Sequence, residues 1–150
     1  MKELIILLTA AAPVLEVRAS IPLGVLYYKL PALTVIALSI IGAVLPVFPI
    51  LFLLNFLVEK IRKIRFFDNF FRWLFEHTKK RSRIIEDLEL VGLTIFMALP
   101  IPGAGVWTGV VAAYLLDIAW IPTFICAIIG TTIASFLVYA ASLGIMKIFL

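Results

Sequence analysis

Two long stretches of this chain run without a single charge, Leu30–Val58 and Ile118–Met146. Each exceeds the roughly 20 residues a helix needs to cross a hydrocarbon core of about 30 Å, with length left over for tilt. Shorter apolar pieces precede each stretch, and both are interrupted. Leu4–Leu15 gives way to Glu16-Val17-Arg18-Ala19-Ser20-Ile21-Pro22 and then turns apolar again to Tyr28. Leu90–Leu99 gives way to Pro100-Ile101-Pro102-Gly103-Ala104-Gly105 and then turns apolar again to Leu116. Arms of about 10–12 residues make helices of roughly 15–18 Å, too short to span. The pattern predicts two helical hairpins, 4–28 and 90–116, that dip into the membrane and return. Each is followed by a full span, 31–58 and 118–146. Interrupted segments at corresponding places in two halves are a pointer to a transporter site.

If each hairpin enters and leaves on one face, the first span carries the chain across and the second half lies upside down relative to the first. The expected fold is therefore an all-α integral membrane protein, one domain over 1–150. It has two inverted repeats, each a re-entrant helical hairpin plus a long transmembrane helix, joined by a linker over 59–89. Four ordinary spanning helices, two of them kinked by proline, make the competing arrangement. Both place the linker on the same side but differ in where the termini emerge. Pro46 and Pro49 should kink the first span, and Tyr27, Tyr28 and Lys29 read as an interfacial belt.

Composition supports the bilayer as solvent: 64% of residues are hydrophobic and 15% charged, with mean hydropathy +1.18. The net charge of +4 is unevenly spread. Nine of the 13 Lys and Arg residues fall between Lys60 and Arg83, which makes residues 59–89 cytoplasmic by the positive-inside rule. Within the linker Arg62, Arg65, Asn69, Arg72, Glu76, Lys79 and Arg83 recur at steps of three and four, opposite Ile64, Phe67, Phe70, Phe71, Trp73 and Leu74. That is an amphipathic interfacial helix suited to anionic lipid headgroups, or a cap on the bundle. Its six acidic residues argue against a nucleic-acid arm. No Walker loop, zinc spacing or dinucleotide fingerprint occurs. No enzyme, metal site or cofactor is therefore expected. The single Cys126 reads as a buried small hydrophobe, and His77 as a solvated linker residue. The N-terminal apolar stretch shows no small-x-small cleavage site and reads as part of the mature chain. So small a bundle makes a homodimer plausible.

Glu16 and Arg18 are the sharpest candidates for chemistry, because an ionised side chain inside a membrane segment is costly and normally meets a partner, water or a substrate. Pro22 encourages local unwinding over Glu16–Pro22. On one reading Glu16 titrates or couples an ion while Arg18 receives an anionic headgroup. On another the two form a structural ion pair, and on a third they lie idle at the interface. In the second tip, Pro100 and Pro102 stop one helix, and Gly103 and Gly105 permit a tight turn. A helix then starts at Val106-Trp107-Thr108-Gly109, and the tip offers the free amides of Gly103–Gly105, the Trp107 indole and the Thr108 hydroxyl to an anion. A packed proline kink is the alternative.

Glu16-Val17-Arg18-Ala19-Ser20-Ile21-Pro22-Leu23-Gly24 resembles the Glu-Leu-Arg-Gly-Ala-Ile-Pro-Leu-Gly signature of the small multidrug export protein family. Leu99–Gly109 resembles its second signature, and the likeness runs through the basic linker. Ala19 departs from the usual Gly, and Ala43 follows Gly42 where the family often has Asn. That family is similar to the DedA superfamily, whose members are thought to carry facing re-entrant hairpins and to move polyprenyl-phosphate carriers or scramble phospholipids. The basic motif of that superfamily's second half has no counterpart here. The resemblance implies a transporter or lipid translocase of a prokaryotic plasma membrane. Proton coupling and an anionic amphiphile as cargo are the expected form, with export of small cationic drugs as an alternative. A non-transporting membrane scaffold is a third possibility, of a different class.

Overall fold

The structure, a computed structural model, describes residues 1–62, 69, 72–73 and 83–149. Its helices in order are α1 (Lys2–Ala11), α2 (Glu16–Pro22) continued by a π turn (Leu23–Tyr27), α3 (Ala32–Val44), α4 (Val47–Arg62), α5 (Arg83–Ala98), α6 (Val106–Leu115) and α7 (Trp120–Phe149). No strand occurs among the described residues. Two stretches are long and apolar enough to cross a membrane. Ala32–Lys60 joins α3 to α4 through a turn at Leu45–Pro46, and Trp120–Ile145 lies within α7. The turn falls at the first of the two prolines expected to kink the span, and Pro49 sits in the first turn of α4, where a missing N–H is tolerated.

The first hairpin breaks earlier than the sequence predicts. Unwinding was expected over Glu16–Pro22, yet those residues are helical and the chain turns at Ala12–Leu15. Pro13 is the reason. A proline disfavours the α region for the residue before it, and Ala12 is extended, with φ −72 and ψ 139. Pro22 is absorbed instead by widening the following turn into the π form, where the Tyr28 N–H donates to the Leu23 carbonyl at 3.0 Å. In the second half the break does fall at Leu99–Gly105, with Gly103 at φ +86. Its first arm is longer than expected, because α5 begins at Arg83 rather than near 90. Of the linker helix expected over 59–89, residues 63–68, 70–71 and 74–82, including Arg65, Glu76, His77 and Lys79, lie outside the described residues.

Each long span is sealed to a hairpin arm through a glycine. Gly42 of α3 lies against α1 so closely that a Cβ there would sit 2.8 Å from the Ala10 methyl. Gly130 of α7 meets α5 in the same way, 2.7 Å from Met97 Cβ. Small residues at such crossings let backbones approach where the lipid supplies no hydrophobic drive between helices. The second arms then close the bundle: α2 packs on α1, α3 and α7, and α6 on α4, α5 and α7. Ile6, Ile21, Val35, Val47, Met97 and Val110 form the shared core. The outer faces are apolar as well. Leu33, Phe52, Phe56, Ile121 and Phe136 are all exposed, as expected of helices that are hydrophobic all round and face lipid.

Candidate functional site

The two chain breaks, 80 or more residues apart in sequence, meet in space. At their junction stands Glu16, the first residue of α2, only 4% exposed. Its backbone φ is +44, an uncommon left-handed value for a residue with a Cβ. Such a conformation costs on the order of 1–3 kcal/mol and persists only where the surroundings fix it. They do so here. The Trp107 N–H, in the first turn of α6, donates to Glu16 Oε1 at 3.3 Å, and the Val106 N–H faces the same carboxylate. Gly105 lies against it as well; a Cβ built there would overlap the carboxylate, so a larger residue would have to displace Glu16.

Arg18 completes the arrangement. Its Nη1 lies 3.8 Å from Glu16 Oε2, a loose ion pair, and its Nη2 donates to the Leu99 carbonyl at 3.0 Å. Its Nε is buried without a partner. The last carbonyls of a helix have no intrahelical donors, and Leu99 lies just beyond the end of α5. The counterpart contact runs the other way. Trp107 Nε1 donates to the carbonyl of Ala11, the last residue of α1, at 3.1 Å. Each hairpin thus caps the first arm of the other with a side chain from its own second arm.

Of the residues expected at the site, Glu16, Arg18, Gly105 and Trp107 come together. Thr108 does not join them: it is exposed, and its hydroxyl donates to the Gly105 carbonyl of its own turn at 3.4 Å. Pro100, Pro102 and Gly103 are exposed on the break, and Pro22 lies half-buried where α2 passes into the π turn. The amides that face an anion are those of Val106 and Trp107 rather than of Gly103–Gly105, and that anion is the chain's own Glu16. Sequence reasoning missed Pro13 as the breaker, the two capped carbonyls, and a buried hydroxyl pair in which Ser20 Oγ donates to Ser39 Oγ at 2.7 Å. Ser20 could have been noticed, since it follows the charged Glu16 by one helical turn; the carbonyls leave no trace in a sequence.

The electrostatic content of the junction is a seat for one negative charge. A helix N-terminus carries about half a positive charge. A guanidinium 3.8 Å from a carboxylate contributes about 4 kcal/mol of attraction at an effective dielectric constant of 20. Glu16 is the one carboxylate at the seat among the described residues. The family model described as "Putative small multi-drug export protein" matches residues 16–137, from Glu16 itself into α7. No curated protein and no solved structure matches the chain.

Proposed function

The chain belongs to the small multi-drug export protein family, and on that footing we propose that it is a proton-coupled membrane transporter whose cargo is an anionic amphiphile such as a lipid phosphate. The observation that carries this reading is the seat itself: Glu16 held between the α6 amides and Arg18. A cargo anion would compete with the Glu16 carboxylate for the same donors. Protonation of Glu16 releases them. With Arg18 always charged, the buried site stays neutral only if the anion arrives as Glu16 takes up a proton, and net charge in such a site is costly. Anion and proton therefore move together, in the same direction.

A second reading follows from the family's description, export of drugs. Here a cationic compound pairs with ionised Glu16 beside the Trp107 ring, a surface that attracts cations, and a proton displaces it. Cation and proton then move in opposite directions. The sign of the coupling separates the two. In vesicles reconstituted with the protein, a lipid phosphate should accumulate with an imposed proton gradient and a cationic drug against it. Movement of neither, under any gradient, leaves a structural scaffold.

Alternating access in this proposal uses two inverted repeats with re-entrant hairpins. Three pairs support the repeat: Ala11 and Leu99 as capped carbonyls, Lys29 and Asp117 at positive φ, and Gly42 and Gly130 at the helix crossings. The members of each pair stand 88 positions apart. Re-entrance is supported by arm length, since α1, with 10 residues, reaches about 15 Å. It is supported too by the Lys2 ammonium lying 5.7 Å from the Tyr28 ring, which brings the two ends of the first hairpin to one level. The linker over 59–89 would then lie on the cytoplasmic surface against anionic headgroups.

A further inference from the structure

Helix α7 carries five serine and threonine side chains, at Thr123, Thr131, Thr132, Ser135 and Ser142. Three of them return a hydrogen bond to the carbonyl four residues earlier: Thr123 to Ala119, Thr132 to Ile128 and Ser142 to Val138. That local bond is the usual refuge of a hydroxyl in a membrane helix. Thr131 and Ser135, one turn apart, do not take it. They are 2% and 0% exposed, and both oxygens are buried with no hydrogen-bond partner.

Their direction follows from the contacts of α7. Phe48, in the first turn of α4, packs its ring against Trp120 and Phe124, centroids 6.0 and 5.0 Å away. Since α3 also packs on α7, the two spans must run antiparallel: a parallel register would set α3 beside residues that precede α7. Nine positions back along the first span from Phe48 stands Ser39, which comes level with about residue 131 of α7. At about 100° per residue, Thr131 and Ser135 lie within about 20° of the sector that Phe124 presents to the first span. They are turned more than about 90° away from Gly130, which faces α5. The two unpaired hydroxyls therefore face α3 and α2 beside the fully buried Ser20–Ser39 pair. Ser20 is one turn along α2 from Glu16.

We infer that Ser20, Ser39, Thr131 and Ser135 line a water-holding seam between α2, α3 and α7 that opens on the Glu16 seat. Buried water typically occupies sites where unpaired polar groups converge. A cation fits less well, because the neighbouring charges are Glu16 and Arg18, which offset one another, and no other described residue of α2 or α3 is ionisable. On α1, Lys2 and Glu3 lie at the far end, about 14 Å along the helix from Ala11. On α7, Cys126 Sγ lies 3.5 Å from the Leu90 carbonyl of α5, and Tyr139 and Lys147 lie one turn or more beyond Ser135. In combination with the proton-coupled reading above, on which this step rests, the seam is the route by which a proton reaches Glu16.

Single-cysteine variants test the seam. In the full chain bearing Cys126→Ala, the substitutions Thr131→Cys and Ser135→Cys should react with a water-borne cationic methanethiosulfonate at least about tenfold faster than Ala134→Cys. The last is equally buried but turned toward α5. Equal, negligible labelling at all three positions means a dry core and overturns the inference. The pair Thr131→Val with Ser135→Ala keeps the side-chain volume and removes the hydroxyls. It should slow gradient-driven transport about tenfold while moving the thermal midpoint by only a few degrees, because the water these hydroxyls hold returns to bulk when they are removed. Labelling with undiminished transport overturns the proton route. Glu16→Gln transporting normally under a gradient overturns the proton-coupled reading itself, a result that the labelling arm does not share.

Discussion

Arg18 and Leu99 join the two halves of this protein: the guanidinium of one hairpin donates, at 3.0 Å, to a carbonyl just past the first arm of the other. Trp107 does the same for Ala11 in return. Neither acceptor is satisfied by its own helix, so the open helix ends are covered only while the hairpins stay together. Movement of one hairpin against the other has to exchange both contacts for water or for a ligand. In the proposed transport cycle the junction is held when both caps are made and hydrated when both are released.

Trp107→Phe keeps the ring and removes the indole donor. It should lower stability by about 1 kcal/mol, the net worth of one neutral hydrogen bond. Arg18→Ala removes a cap and leaves Glu16 without its counter-charge, and should cost about 3–5 kcal/mol. Chemical unfolding of the purified protein in one detergent compares the two. Equal effects would mean that the guanidinium contributes only its hydrogen bond.

Glu16→Gln retains an acceptor for the Trp107 amide and should stay folded while losing gradient-driven transport. Glu16→Asp keeps a titratable group and should retain part of it. Both are read on the same preparations by thermal stability and by uptake with and without a pH gradient. Unfolding of Glu16→Gln would assign the pair to architecture alone.

The two glycines of the second break should behave differently. Gly103 is at φ +86 with open space where a Cβ would go, so Gly103→Ala carries only backbone strain, about 1–2 kcal/mol. Gly105→Ala drives a methyl into the Glu16 carboxylate and should cost about 1–3 kcal/mol or expel Glu16 from its seat. Loss of transport in Gly105→Ala, with activity kept in Gly103→Ala, is the expected result. The reverse order would remove Glu16 from the account.

If the halves are inverted as proposed and the linker is cytoplasmic, both termini lie outside the cell. Single cysteines introduced by Lys2→Cys and Lys147→Cys in a Cys126→Ala background should react with an impermeant reagent on intact cells, and one introduced by Lys79→Cys should not. Termini reachable only after the cells are opened would reinstate four ordinary spanning helices.

Much of the frame was legible because the bilayer imposes length and polarity. Charge-free runs announced the two spans, and Pro100 and Pro102 announced the second break. The first break was misplaced because Glu16 and Arg18 drew attention, whereas the backbone obeys Pro13, whose effect on Ala12 is steric and independent of charge. Glu16 and Arg18 stood out by their cost in lipid. The donors at the start of α6 were expected too, but the Leu99 carbonyl that Arg18 meets and the Ala11 carbonyl that Trp107 meets were not, since a carbonyl is a main-chain group that every residue carries. Thr131 and Ser135 were hidden for another reason: a lone hydroxyl in an apolar helix is ordinary until its refuge is seen to be unused.

A transporter's resting state has to be tight as well as ready. Chloride and phosphate ions are abundant, and an open nest of amides beside a guanidinium would pass them downhill. Here the nest carries a tethered occupant, the side chain of Glu16, which a dissolved ion would have to displace. If the seat is the transport site, as proposed, the idle protein is plugged by one of its own residues, and the membrane potential is not spent on inorganic anions while no cargo is bound.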